Sequence, residues 1–144
     1  MIRKIAAVVL GVVLAFILIV AVESLSHAVY PPPADLDITD NAAMKAYVDS
    51  APAGALLFVM AAWLFGTFGG GLLASLIGRE SPVLYPMIIG GLVLLGTAIN
   101  LVSIPHPTWF AITSVTAIAA TVFATSRVAA RVVGITVVSR ELSS

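Results

Sequence analysis

Cysteine is absent from the 144 residues, which excludes disulfide staples, thiolate nucleophiles and cysteine-ligated zinc or iron–sulfur centres. Charge is nearly as scarce. Charged side chains make up 10% of the sequence, seven basic against seven acidic, whereas a soluble domain carries about 25%. The zero balance leaves no basic footprint for nucleic acid. Phosphate-loop chemistry is excluded too: "GTFGGG" at 66–71 has neither a preceding strand nor the lysine of a Walker motif. No nucleophile, base and orienting group stand at a recognisable spacing, so an enzyme is not expected, and neither is a cofactor.

What remains is apolar. Hydrophobic residues are 60% of the chain and the mean hydropathy is +1.13, a composition that belongs in a bilayer. A hydrocarbon core of about 30 Å needs about 20 helical residues. Four stretches have that length, 5–30, 53–77, 83–103 and 108–133. Pro31 should end the first, because it lacks an N–H and disfavours helical geometry at Tyr30. Pro52, Pro82 and Pro107 stand at or before the first turns of the others, where a missing N–H costs nothing. The fourth should leave the membrane near Arg127. The first resembles a secretory signal, with "SHA" for cleavage, but its uncharged run from Ile5 to Val22 exceeds a signal core. It is read as a retained helix.

The expected fold is therefore all-α, a polytopic four-transmembrane-helix bundle forming a single transmembrane domain over 1–144. Arg3, Lys4, Arg79, Arg127, Arg131 and Arg140 fall on one side, and Lys45 alone stands among Asp35, Asp37, Asp40 and Asp49 on the other. The positive-inside rule then predicts a multi-pass protein of a bacterial inner membrane with both termini cytoplasmic. Tyr30 and Trp109 should mark the outer interface and Tyr85 the inner one. In the outer loop, 31–52, Thr39 or Asp40 can cap a short helix. Its Ala43, Met44, Tyr47, Val48 and Ala51 share a face, which predicts an interfacial helix.

Small residues predict how the spans meet. Ala62, Gly66, Gly70, Ala74 and Gly78 recur every four residues, a ridge over which backbones can approach closely. Gly90, Gly91 and Gly96 are the small residues of the third span, and Thr113, Ala117 and Thr121 form a similar row on the fourth. Trp63, deep in the second span, needs a partner for its N–H, which Asn100 or a threonine of the fourth span can supply.

The polar chemistry gathers at one end. In "VESLSHAVYPPP", 22–33, Glu23 and His27 lie one turn apart on the same face. Asn100 stands near the outer end of the third span and His106 in the "IPHPTW" turn. A carboxylate beside an imidazole at membrane depth can relay protons or bind a cation. Two imidazoles and a carboxylate can hold zinc. The bland alternative is that Glu23 and His27 hydrogen-bond each other, His106 meets water and Asn100 links helices. Arg79 and Glu80 are read as a solvated pair in the inner turn.

With "ESLSHAVYPPP", "ALLFVMAAWLFGTFGGGLLA" and "IPHPTWF", the chain resembles a group of uncharacterised bacterial four-helix inner-membrane proteins, a likeness that implies the fold and no activity. In size and helix count it is also similar to small multidrug-resistance exporters, which use a glutamate of the first helix. It departs from them because Glu23 is near the helix end and the outer loop is long. The expected function is a non-enzymatic structural or interaction protein, in contact with the bilayer and with a homo-oligomeric or membrane-protein partner. A proton-coupled carrier of a small solute using Glu23 and His27 is the alternative, and a membrane metal-binding protein the third.

Overall fold

The computed structural model describes residues 1–79 and 81–141, with 135–141 described by their backbone alone. Five helices follow one another: α1 Ile2–Val29, α2 Asn41–Ser50, α3 Ala53–Gly78, α4 Leu84–Ser103 and α5 Thr108–Glu141. No strand occurs among the described residues. Four helices are long and apolar enough to cross a membrane, the last of them over Thr108–Gly134. The protein is a multi-pass α-helical membrane bundle.

The prolines act as expected. Tyr30, before Pro31, leaves helical geometry at φ −126° and ψ 74°. The carbonyls of Pro52 and Pro107 accept the opening bonds of their helices, from Ala55 at 2.9 Å and from Phe110 at 3.0 Å. α5 runs on to Glu141 instead of stopping near 133. Nothing in the sequence breaks it, since a single Gly134 within a helix costs only about 1 kcal/mol. At the end of α3, Arg79 adopts the left-handed conformation, φ 60°. Its N–H donates to the Ser75 carbonyl and its Nε to that of Leu76, so Arg79 closes the helix. Glu80, its expected partner, lies outside the described residues.

α3 is the hub of the bundle. It packs against α1, α4 and α5, while α1 touches α4 only lightly. The ridge Ala62, Gly66, Gly70, Ala74 and Gly78 is wholly buried. It meets a second small ridge, Ala7, Gly11 and Ala15 of α1, also buried. The two backbones come so close that a Cβ on Gly70 would stand 2.5 Å from the Gly11 carbonyl oxygen, and one on Gly11 2.8 Å from that of Gly70. Gly78 serves differently, because its bare face receives the Tyr85 ring. Tyr85 is thereby 2% exposed and belongs to the core with Ala7, Ala15, Ala74 and Ile89. Its expected place in an aromatic belt is corrected.

Two other expected faces are also corrected. On α4 only Gly90 meets a neighbour, Val122 of α5, whereas Gly91 and Gly96 face open space. On α5 the buried residues among those described are Phe110, Ser114, Ile118, Thr125, Ser126 and Ala129, and Thr113 is exposed. The hydroxyls of Thr113 and Thr121 donate to the carbonyls of Trp109 and Ala117, each four residues back. A hydroxyl satisfied by its own helix gives no preference for a protein neighbour over lipid. Trp63 makes no hydrogen bond to Asn100 or to an α5 threonine; its ring packs on Phe110 at a centroid distance of 5.6 Å.

Candidate functional site

The loop after α1 builds a roof over one end of the bundle. Asp37 Oδ1 accepts from the Thr39 N–H at 2.8 Å and from the Thr39 hydroxyl at 2.6 Å, closing a tight turn. These donors hold the Asp37 carboxyl below the usual carboxylate range. Asp40 is the cap of α2: its Oδ1 accepts from Ala42 N–H at 2.8 Å. An exposed Lys45–Asp49 ion pair, one turn apart, decorates the outer side of α2. The face expected from spacing, Ala43, Met44, Tyr47, Val48 and Ala51, is the less exposed one, and it turns onto the end of the bundle. Val48 joins Leu56, Trp63, Phe110 and Ile118 in one cluster.

Under this roof is a cavity of about 250 Å³. Glu23, His27, Asn100 and His106 all line it. The structure thus brings together the four polar residues singled out from sequence, from α1, α4 and the α4–α5 turn. Tyr30 and Ser26 of α1 and Tyr47 of α2 complete the polar wall. Glu23, Ser26, His27 and Tyr30 fall at helical positions i, i+3, i+4 and i+7, so Ser26 and Tyr30 were legible from the same spacing.

Each group has a definite state. Glu23 is half-buried, and its carboxylate makes no hydrogen bond or ion pair among the described residues. His27 is exposed and likewise unbonded. The bland expectation of a Glu23–His27 hydrogen bond therefore fails. His106 stacks on Phe110 at 5.0 Å and 18° between planes, and its Nδ1 lies 2.7 Å from the Ile104 carbonyl oxygen. A carbonyl only accepts, so Nδ1 carries a proton and Nε2 is the ring nitrogen left for another partner. Asn100 Oδ1 is buried without a partner.

A second, more apolar groove of about 280 Å³ runs between α1 and α4 and shares Asn100 with the cavity. Thr97, a turn from Asn100 and 2% exposed, lines this groove, and its Oγ1 is also buried without a partner. The contrast with other hydroxyls is informative. Thr67, Ser75, Thr116 and Thr125 all donate to the carbonyl four residues back, whereas Thr97, and Ser114 on α5 away from either space, do not. Leaving a buried polar atom unpaired costs about 1–3 kcal/mol, so two such atoms at one junction mark a place where a hydrogen-bonding guest is stabilised. Thr97 had no sequence signal beyond lying three residues from Asn100.

The zinc reading is not supported by this geometry. Among the described residues no group of three His, Asp or Glu side chains is gathered closely enough to hold a metal ion. Glu23, His27 and His106 share a cavity wall without converging on one point. Comparison of the chain with known protein families, with curated proteins and with solved structures finds no match. The functional reading accordingly rests on the site.

Proposed function

We propose that the protein is a non-enzymatic interaction protein of the inner membrane whose partner is a small molecule held in the cavity beneath α2. The observation that carries this reading is Asn100 Oδ1, buried without a partner on the wall of a cavity that the Glu23 carboxylate also lines. A purely packed bundle would join the Asn100 oxygen to a neighbour, because a buried unpaired polar group at membrane depth is costly. Native mass spectrometry after purification in mild detergent tests the proposal. Wild-type protein should carry a small-molecule mass that Asn100→Leu loses while remaining folded; an identical mass for both variants would refute it.

The orientation belongs to the same proposal. Arg3 and Lys4 begin α1, Arg79 closes α3, and Arg127 and Arg131 lie late in α5, while the aspartates surround α2. This asymmetry supports cytoplasmic termini and an external cavity. Reporter fusions at Ser144 and Glu80 should register as cytoplasmic and fusions at Asp37 and His106 as external; an external Ser144 would overturn this arrangement.

A second reading, a proton-coupled carrier of a small solute, is favoured by the unbonded Glu23 one turn from His27. A carrier requires Glu23 to exchange a proton as the solute binds. Glu23→Gln should then remove the pH dependence of ligand retention, and an unchanged pH profile would exclude it.

A further inference from the structure

The groove between α1 and α4 is lined on α1 by Val12, Phe16 and Ile19 and on α4 from Ile89 to Asn100. The span from Ile89 to Asn100 covers roughly 16 Å at 1.5 Å per residue. α1 and α4 touch only lightly, and Phe16 and Leu92 are exposed in the bundle, so the groove opens sideways toward lipid. Its upper end is polar: Thr97 Oγ1 and Asn100 Oδ1 are buried and unpaired there, and Asn100 continues into the cavity of Glu23, His27 and His106. A long apolar slot thus joins a compact polar chamber at Asn100.

We infer that this groove holds the tail of a single-chain amphiphile whose head is uncharged and bears hydroxyl groups, seated where Thr97 and Asn100 meet the cavity. The inference rests on the small-molecule reading above and names its ligand class. Head chemistry follows from what lines the two spaces. Among the described residues no lysine or arginine does, so a phosphate or carboxylate head would be buried there without a fixed counter-charge. At the junction itself stand the Thr97 hydroxyl and the Asn100 amide, and the one carboxylate, Glu23, lines the cavity above; a single ammonium seated at Glu23 leaves Thr97 Oγ1 and Asn100 Oδ1 unpaired below it, and one seated at the junction leaves the carboxylate. A hydroxyl donates to Asn100 Oδ1, exchanges a hydrogen bond with Thr97 Oγ1, and leaves further hydroxyls for the Glu23 carboxylate and the imidazoles above. The tail takes the slot because one chain of about that length fills it between two helices. Each buried methylene adds to binding only to the extent that the groove packs it better than lipid does.

Gly96 provides the discriminating variant. It lines the groove, and a Cβ placed on it meets nothing within 4 Å, so Gly96→Leu adds bulk at the slot from a position with room at its base. The probe is a dodecyl-chain monoacylglycerol carrying a diazirine at mid-chain, photolysed with the full-length protein in mild detergent and mapped by peptide mass spectrometry. Adducts are expected on Phe16, Leu92 or Val93, falling by about tenfold or more in Gly96→Leu and also in Asn100→Leu. The fatty acid and the alkylamine of the same chain length should label these positions far less. Groove labelling that survives Gly96→Leu, or that is equal for the amine or the acid, overturns the inference. So does a dimer in native mass spectra that Gly96→Leu dissolves without lipid adducts, since a second copy would then fill the groove. A small-molecule mass that depends on Asn100 but not on Gly96 would overturn the tail assignment and leave the cavity reading standing. Loss of that mass dependence would sink both.

Discussion

Substituting Gly70 by alanine probes the glycine whose added Cβ would come nearest to backbone across a helix seam. The added Cβ would lie 2.5 Å from the Gly11 carbonyl oxygen, 2.8 Å from Ala15 Cβ and 3.2 Å from Ile89 Cγ2. Ile89 can yield by rotating its side chain, but Gly11 is backbone, so α1 and α3 must separate by roughly 1 Å, forfeiting up to half of the dispersion attraction along the seam. Overpacking of this kind costs about 1–3 kcal/mol. Replacing a helical glycine by alanine returns up to about 1 kcal/mol of propensity. The net expectation is a loss of about 1–2 kcal/mol. Gly91→Ala is the control, because its Cβ meets nothing within 4 Å, and it should be neutral or stabilising by up to about 1 kcal/mol. Reversible unfolding in mixed micelles measures both against wild type. Gly70→Leu should be worse still, with a visible change of size in detergent. Equal stability of the Gly70 and Gly91 variants would refute the claim that the α1–α3 seam is held by backbone contact.

Three further outcomes follow from the roof and its support. The depressed Asp37 carboxyl contributes order above its unfolded pKa, and this is lost as pH falls through its lower folded value; the Thr39 amide should lose exchange protection only in that acidic window, and Asp37→Asn should show no such step. Asp40→Ala removes the α2 cap at a cost of about 1 kcal/mol, which amide exchange at residues 42–44 should register while the spans stay protected. Phe110→Ala withdraws a fully buried ring that meets Trp63, His106 and Trp109. It should cost on the order of 3–5 kcal/mol and shift tryptophan emission; an unaltered spectrum would show that the roof does not depend on this ring.

The spans were legible because length, apolarity and proline placement act locally, and the α3 ridge because its step of four survives in sequence. The matching ridge of α1 has the same step, Ala7, Gly11 and Ala15, yet α1 is apolar all round, so no contrast in polarity announces which stripe meets protein. Tyr85 was misplaced for a related reason: an aromatic near a helix end suits an interface, and only the fold supplies the slot at Gly78 that buries it. On α5, Thr113, Ala117 and Thr121 form a small-residue row in sequence, but hydroxyls bonded within their own helix leave the two threonines indifferent to what surrounds them. The cavity was half legible. Glu23 and His27 declare themselves by charge in an uncharged run. The roof contributed by Tyr47 and Val48, and the unpaired Thr97, depend on contacts between distant segments that no local pattern encodes.

The hub position of α3 bears on how the bundle comes together during synthesis. α1 leaves the ribosome first with a mean hydropathy of 3.3 over its most apolar stretch, against 1.9 for α3. Its protein-facing stripe of Ala7, Gly11 and Ala15 hides no polar group, and its Glu23 and His27 lie near the helix end, so the body of α1 can wait in lipid as a lone span. α3 is in the opposite position. It buries Trp63 and a ridge of three glycines and two alanines, draws on three neighbours, and has few of them when it arrives. The bundle therefore matures around its third element, and a defect in the late helices α4 and α5 should strand α3 as the vulnerable, quality-controlled segment while α1 remains inserted.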